Sequence, residues 1–85
     1  MHKILAHTLS IRYVWLNTFN MNRIKIVLEE KGIKQTWLAD RLGKSFNTVN
    51  GYVQNRQQPR LEVLNEIAEI LDIDIKELIV SNKLD

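Results

Sequence analysis

The spacing of apolar residues changes near residue 21. In residues 8–15 they occupy every odd-numbered position, alternating with Thr8, Ser10, Arg12 and Val14, a period typical of a β-strand. These positions are Leu9, Ile11, Tyr13 and Trp15. From Asn22 onward apolar residues recur every three or four positions, which is typical of amphipathic helices. We therefore divide the chain into an N-terminal extension, residues 1–20, and a helical domain, residues 21–85.

The extension has three open interpretations. A single strand has nothing to pair with in a helical domain, and Met21 stands immediately before a helix. The segment is either a leader with Met21 as the natural start, a poorly structured arm, or an element that pairs in a dimer. We expect it to be poorly structured.

Caps and breakers divide the first half of the domain into helices. Asn22 is a good N-cap for the first helix, which Gly32 is expected to end. The second helix is predicted at residues 35–42 and ends at Gly43. Ser45 is an N-cap for the third helix, predicted at residues 46–54.

The second half begins with a polar loop at residues 55–59, closed by the only proline. Residues 61–71 form the clearest amphipathic helix, and Asp72 or Asp74 is expected to cap a short fifth helix. Short connections between five helices predict an all-α fold, a compact five-helix bundle. Its predicted core is Ile24, Val27, Leu28, Leu38, Leu42, Val49, Tyr52, Leu61, Leu64, Ile67, Leu71, Ile75 and Leu78.

The composition argues against an enzyme. Eighty-five residues make one small domain, with no cysteine and two histidines, His2 and His7, near the amino terminus. The sequence has no serine–histidine–aspartate set, no glycine-rich phosphate loop and no metal-ligand spacing. We therefore expect no catalysis, cofactor or metal. No segment has the roughly 20 apolar residues of a membrane helix, and the start of the chain does not read as a signal peptide. Because the absence of cysteine also favours a reducing compartment, we expect a cytoplasmic protein.

The charge is divided between the two halves of the domain. Residues 21–60 carry eight cations and three anions, a net charge of +5, whereas residues 61–85 carry two cations and seven anions, a net charge of −5. The basic half suggests a polyanionic partner. Two solvated faces of opposite sign explain the same pattern equally well.

A helix-turn-helix pattern lies in residues 35–54. Ala39 is small enough for two crossing helices to approach, and Gly43 suits a turn that needs positive φ. Val49 follows six residues later on the inner face of the next helix, which is the spacing of a helix-turn-helix unit. A generic corner between two helices has the same three features.

Residues 22–80 resemble the phage-repressor/Cro type of helix-turn-helix domain, the XRE family. The matching residues are Gly32, Gln35, Leu38, Ala39, Leu42, Gly43, Ser45, Thr48, Val49, Asn55, Pro59, Leu61, Glu62, Leu64, Ile67, Ala68, Leu71 and Leu78. The resemblance implies a five-helix domain that binds double-stranded DNA with its third helix in the major groove, usually as a homodimer on paired half-sites.

Three residues at the start of the third helix are candidates for reading bases: Phe46, Asn47 and Asn50. Asparagine can pair with adenine N6 and N7, and phenylalanine can contact a thymine methyl group. Alternatively, Phe46 packs on a neighbouring element and the asparagines are solvated. Gly51 departs from the longer polar residue common in the family, and either permits close backbone approach to DNA or reads nothing.

Phosphate contacts are expected on both sides of this helix. The resemblance assigns them to Gln35, Thr48, Asn55 and Arg56, with Lys44 and Tyr52 assisting. Simple surface charge is the alternative for Lys44 and Arg56. Trp37 is expected to be packed and partly exposed, with a dimer contact as its alternative.

Lys34 and Arg60 stand where the family commonly has a capping serine. Both side chains are hydrogen-bond donors only, and each puts a cation at the positive end of a helix dipole. Since helix N-termini bind anions, we expect Lys34 and Arg60 to bind DNA phosphates.

These observations predict a sequence-specific transcriptional regulator. A related alternative is the DNA-binding antitoxin of a toxin–antitoxin pair, with a toxin as a partner protein. An alternative of another class is a protein-interaction module that keeps the fold without binding DNA; Phe46 and the acidic helices favour it.

Overall fold

The computed structural model describes residues 21–80, and the expectations for residues 1–20 lie outside this range. The described chain forms four α-helices and one turn of 3-10 helix, with no strand. Their bounds are α1 Ile24–Lys31, α2 Gln35–Leu42, α3 Phe46–Val53, α4 Leu61–Leu71 and the 3-10 helix Ile75–Leu78. The all-α prediction is confirmed, with the fifth helix reduced to a single 3-10 turn.

The predicted caps account for most helix ends. The Ser45 hydroxyl accepts a hydrogen bond from the Thr48 backbone N–H at 3.1 Å, at the start of α3. Gly32 and Gly43 end α1 and α2 in the left-handed region, each with φ of 66°. Left-handed backbone is cheap for glycine because it has no Cβ.

The side chain that caps the amino end of α1 does not come from the residue directly before the helix, but from the residue before that one. Arg23 directly precedes the helix and provides no side-chain cap. Instead, Asn22 Oδ1 accepts a hydrogen bond from the Ile24 backbone N–H at 3.1 Å. The capping role predicted for Asn22 is therefore present.

The two candidate caps of the fifth element differ in what they do. Asp74 Oδ1 accepts a hydrogen bond from the Lys76 backbone N–H at 2.9 Å, so Asp74 caps the 3-10 helix. Asp72 instead ends α4 in the left-handed region, with φ of 55°.

The core contains most of the predicted residues. Buried together are Ile24, Val27, Leu28, Leu38, Ala39, Val49, Tyr52, Val53, Leu64, Ile67, Ala68, Leu71 and Leu78. Leu42 and Ile75 pack against this core while partly exposed. The list of core residues predicted from the sequence omits Ala39, Val53 and Ala68.

The prediction that Leu61 lies in the core is wrong, because its side chain is 69% exposed. Helical periodicity puts Leu61 on the same face of α4 as Leu64. However, Leu61 is the first residue of the helix, and its neighbours Arg60 and Glu62 are also exposed. The core therefore begins one turn into α4.

The packing order brings α2 and α3 together in the middle of the domain. α2 contacts α3 and α4, while α1 contacts α3 and the 3-10 helix, which also packs on α4. An isolated antiparallel bridge between Asn22 and Ile79 joins the two ends of the described chain. Across it, the Arg23 N–H donates to the Leu78 carbonyl at 2.9 Å. In residues 21–80 the helices are all too short or too polar to cross a membrane.

Candidate nucleic-acid interface

The turn between α2 and α3 has the geometry that its sequence predicts. Ala39 is 5% exposed and Val49 is fully buried, so both lie in the core. The Lys44 N–H donates to the Ala39 carbonyl at 3.1 Å while Gly43 adopts positive φ. These interactions terminate α2 and reverse the chain direction, so that α3 begins at Phe46. Together α2 and α3 form a helix-turn-helix unit.

The first turn of α3 leaves one amide side chain unengaged. Asn47 is exposed, and within the described residues its side chain forms no hydrogen bond. Thr48, in contrast, is half-buried, and its hydroxyl lies 2.9 Å from the Ser45 hydroxyl in a hydrogen bond. Both polar atoms of the Asn47 amide are thus accessible from outside the protein.

Phe46 lies at the rim of a surface groove between α1 and the start of α2. The groove has a volume of about 390 Å³, and its apolar lining includes Leu28, Ile33 and Val53. The Phe46 side chain is 47% exposed. About half of the Phe46 side chain is therefore covered by the protein, and the other half is accessible to a partner.

A chain of hydrogen bonds connects Gln35, Asn50 and Arg56. Asn50 Nδ2 donates to Gln35 Oε1 at 2.9 Å, and the Arg56 guanidinium donates from Nη2 to Asn50 Oδ1 at 2.7 Å. Gln35 is the first residue of α2, and Arg56 lies in the loop after α3. The structure thus links two predicted phosphate ligands through a predicted base reader.

A second network holds the loop after α3 against the amino end of α1. Asn55 adopts left-handed backbone with φ of 59°, which asparagine tolerates better than most residues. Its Oδ1 accepts from the Asn22 N–H at 2.9 Å, and its Nδ2 donates to the Asn22 carbonyl at 3.2 Å. The side chain predicted to contact phosphate is therefore occupied in fixing the loop.

Asn22 completes this second network from the buried side. Its side chain is 5% exposed, and its Nδ2 donates to the Tyr52 carbonyl and to Gln58 Oε1, both at 2.9 Å. The sequence alone does not indicate that Asn22 or Gln58 supports the loop. The left-handed preference of asparagine at position 55 was the available signal, but the partner lies 33 residues away in the chain.

Tyr52 and Gly51 face inward. Tyr52 is 5% exposed and belongs to the core, as the sequence predicts; its burial gives no support to the phosphate contact also predicted for it. Gly51 is buried, and a Cβ added there would lie 3.6 Å from Gln57 Oε1. Its carbonyl accepts from the Arg56 N–H at 2.9 Å. The loop of the same chain thus packs beside Gly51 at a distance that leaves room for a Cβ.

Three more predicted phosphate ligands, and the tryptophan considered as a dimer contact, lie at or near the surface around the helix-turn-helix unit. Lys34 and Arg60 are exposed N-cap residues of α2 and α4, and neither provides a side-chain cap. Lys44 is half-buried at the turn. Trp37 is 40% exposed, and the Arg41 guanidinium lies over its ring at 4.9 Å from the centroid, within cation–π range.

Most acidic residues of the domain lie away from the helix-turn-helix unit in the chain. Three anions are exceptions, Glu29 and Glu30 in α1 and Asp40 in α2. The others in the described chain belong to α4 and the segment that follows it, and all of these are exposed: Glu62, Glu66, Glu69, Asp72, Asp74 and Glu77. The predicted division of charge therefore corresponds to different structural elements, with the cations concentrated in and around α1 to α3.

The fold and the turn between α2 and α3 define a helix-turn-helix DNA-binding domain. The family model for the Cro/C1-type HTH DNA-binding domain matches residues 23–83, and the chain belongs to this family. The prediction from the phage-repressor/Cro resemblance is confirmed.

Among solved structures, the chain is similar to a crystal structure of a protein from Bacteroides fragilis to which DNA binding is attributed. The two are 45% identical, with a TM-score of 0.70, over 71% of this chain and 97% of the other. No curated protein matches the chain.

Proposed function

We propose that this protein is a sequence-specific regulator of transcription that inserts the amino-terminal half of α3 into the DNA major groove. The observation that carries the proposal is the exposed amide of Asn47 on the first turn of α3, flanked by the linked polar side chains of Gln35 and Arg56. In helix-turn-helix proteins, side chains on the recognition helix contact bases and thereby specify the sequence, while polar side chains on either side contact phosphates and position the helix.

Asn47 is our first candidate for reading a base. Its amide can donate to adenine N7 and accept from N6 without breaking a hydrogen bond among residues 21–80. The exposed half of the Phe46 ring is suited to a thymine methyl group. Asn50, whose two polar atoms are already bonded, is a base reader only if it releases both partners.

Phosphate binding is assigned to residues on either side of α3. Gln35 and Arg56 supply hydrogen-bond donors, and Lys34, Lys44 and Arg60 add positive charge. Thr48 is included because it lies in the first turn of α3. Asn55 supports these contacts by holding the loop that carries Arg56. We leave Tyr52 out of this set because it is buried.

A homodimer on paired half-sites is part of the proposal. One domain of this size reads only a few base pairs, and two copies related by a two-fold axis would read a palindromic site. Two duplexes test this directly: one with a half-site and one with two half-sites spaced by one helical turn. A dimer binds the second far more tightly, whereas an obligate monomer binds both alike.

Binding selection from a pool of random duplexes tests the proposed function. The protein should enrich a defined motif, and affinity should fall steeply as salt rises, because phosphate contacts release counterions. Asn47→Ala should lower affinity for the enriched duplex by about 1–3 kcal/mol and relax the preference at one base pair. Arg56→Ala should weaken binding to every duplex and flatten the salt slope by about one unit.

The same measurement separates DNA binding from a protein-interaction module. A half-exposed Phe46 beside an apolar groove favours such a module as the second candidate. In that case no motif would be enriched, and partner binding would change little with salt. Equal losses for Asn47→Ala and Arg56→Ala on enriched and shuffled duplexes would instead contradict the division between reading and anchoring residues.

A further inference from the structure

Asn50 has an unusual position among the polar residues of α3. It is half-buried, and both polar atoms of its side chain are bonded to residues outside the helix. One partner, Gln35, begins α2, and the other, Arg56, follows α3 in the loop. These two hydrogen bonds span the helix-turn-helix unit from one flank to the other.

The direction of each hydrogen bond determines what the two partners present to the outside. Asn50 Nδ2 donates to Gln35 Oε1, so the acceptor of the Gln35 amide is used, while its NH2 group has no partner within the described part of the chain. Asn50 Oδ1 accepts from Arg56 Nη2, which leaves other N–H donors of the guanidinium available. Phosphate oxygens accept hydrogen bonds, and both partners are therefore left with donors.

We infer that Asn50 is a positioning residue that pre-orders Gln35 and Arg56 for DNA phosphates, and that it does not read a base. Pairing with adenine would require both polar atoms of the Asn50 amide, and hence the loss of both hydrogen bonds. In its observed conformation Asn50 lowers the entropy lost when two long side chains are immobilised on DNA. This inference rests on the proposed function.

The chemistry of the amide explains why an asparagine suits this position. An aspartate would accept from Arg56 but has no donor for Gln35 Oε1, so the Gln35 amide would have to turn and direct its oxygen outward. A leucine would engage neither partner. Only an amide of this length donates to one flank and accepts from the other.

The test combines Asn50→Ala with the removal of both partners. Affinities are measured for a duplex that the wild-type protein enriches from a random pool and for a shuffled duplex of equal length. Asn50→Ala should lower both affinities by about tenfold, because two side chains must then be ordered on binding. The ratio of the two affinities should not change.

In the Gln35→Ala/Arg56→Ala background, Asn50→Ala should have no further effect, since no partner is left to position. A base reader would give the opposite result: Asn50→Ala would reduce the ratio and would still lower affinity in the double variant. That result would overturn the inference.

A measurement on the free protein keeps this test separate from the proposed function. In wild-type protein, ¹⁵N relaxation should show a restrained Arg56 Nε–H and Gln35 side-chain amide, and both should become mobile in Asn50→Ala. In Asn50→Asp, the carboxylate should still accept from Arg56 and restrain it. Because the carboxylate has no N–H group, it cannot donate to Gln35 Oε1. The matched control is Asn65→Ala in α4, because Asn65, unlike Asn50, donates within its own helix, to Glu69 at 3.2 Å.

The two failures are distinguishable. If no duplex is bound, the proposed function fails, while the relaxation data still report whether Asn50 orders its neighbours. If Gln35 and Arg56 are equally mobile in wild-type protein and Asn50→Ala, the inference is wrong even when DNA binds.

Discussion

The buried side chain of Asn22 donates a hydrogen bond to the backbone carbonyl of Tyr52 over 2.9 Å, across 30 residues of chain. It joins the segment before α1 to the last turn of α3. The same Nδ2 donates to Gln58, and the Asn22 carboxamide oxygen caps α1. One side chain therefore fixes the amino end of the domain, the end of α3 and the loop that carries Arg56.

Asn22→Ala should lower the free energy of unfolding by about 2–3 kcal/mol, because it removes several partly or fully buried hydrogen bonds at once and leaves a cavity in their place. Chemical denaturation measures the change. Asn65→Ala is the control: Asn65 is exposed and bonds only within α4, so its loss should cost less than about 0.5 kcal/mol. Equal costs for the two variants would contradict a special role for the buried amide.

The two ends of the apolar face of α4 should respond differently to substitution. Leu64→Ala should lower the free energy of unfolding by about 2–5 kcal/mol, because it opens a cavity in the core. Leu61→Ala should change it by less than about 0.5 kcal/mol, since this side chain is 69% exposed. Thermal melts of both variants give the comparison, and a large loss at Leu61 would mean that something covers it in solution.

The sequence predicts those parts of the fold that local chemistry determines. Ser45, Gly32 and Gly43 act through hydrogen bonds and backbone angles within a few residues, so the caps they form are readable from neighbouring positions. Leu61 shows where periodicity stops being informative. A repeating apolar pattern gives the face of a helix, but not where along the helix the neighbouring elements end.

The site is less predictable than the fold because its key contacts join distant residues. Asn50 on an outer helix face looks like a base reader in sequence, and its hydrogen bond to Gln35 crosses 15 residues. Asn55 looks like a phosphate ligand until its partner Asn22, 33 residues earlier, is known. An amide gives no local indication of whether it is committed to the protein or available to DNA.

The glycines of the helix-turn-helix unit should have opposite responses to alanine. Gly43 has φ of 66°, so Gly43→Ala should destabilise the domain by about 1 kcal/mol. Gly51→Ala should stabilise it by about 0.5–1 kcal/mol, because helical alanine is favoured and the new Cβ would meet Gln57 only at ordinary contact distance.

Denaturation curves of both glycine variants test the stability changes, and DNA affinity tests the second role considered for Gly51. If Gly51 permits close backbone approach to DNA, Gly51→Ala will bind DNA more weakly despite its greater stability. Unchanged affinity would mean that this position reads nothing.

The domain should fold without residues 1–20. Within the described residues, 21–80, the helices enclose a core that extends from Ile24 to Leu78. We expect residues 21–85 to melt within a few degrees of the full chain, as measured by circular dichroism. A large drop in melting temperature would make the first 20 residues a structural part of the domain, and a loss of dimerisation alone would make them an interface.

Lys34 and Arg60 are expected to lower the stability of the free domain in exchange for affinity. Each occupies an N-cap position with extended backbone and no side-chain cap, before α2 and α4. A missing cap costs up to about 1 kcal/mol, and a cation at the positive end of the dipole costs a few tenths to about 1 kcal/mol more. A bound phosphate would reverse both effects, because it accepts from the free N–H groups and neutralises the cation.

The double variant Lys34→Ser/Arg60→Ser separates stability from binding. Its melting temperature without DNA should rise, since serine caps a helix and carries no charge. Its affinity for DNA should fall, and the slope of log affinity against log salt should flatten by up to about two units, one for each lost phosphate contact. A variant that melts higher but binds every duplex with the wild-type affinity and slope would show that both residues are merely poor caps. Lys31→Ser, which removes an exposed cation at the last residue of α1 rather than at a helix start, is the control for loss of charge alone.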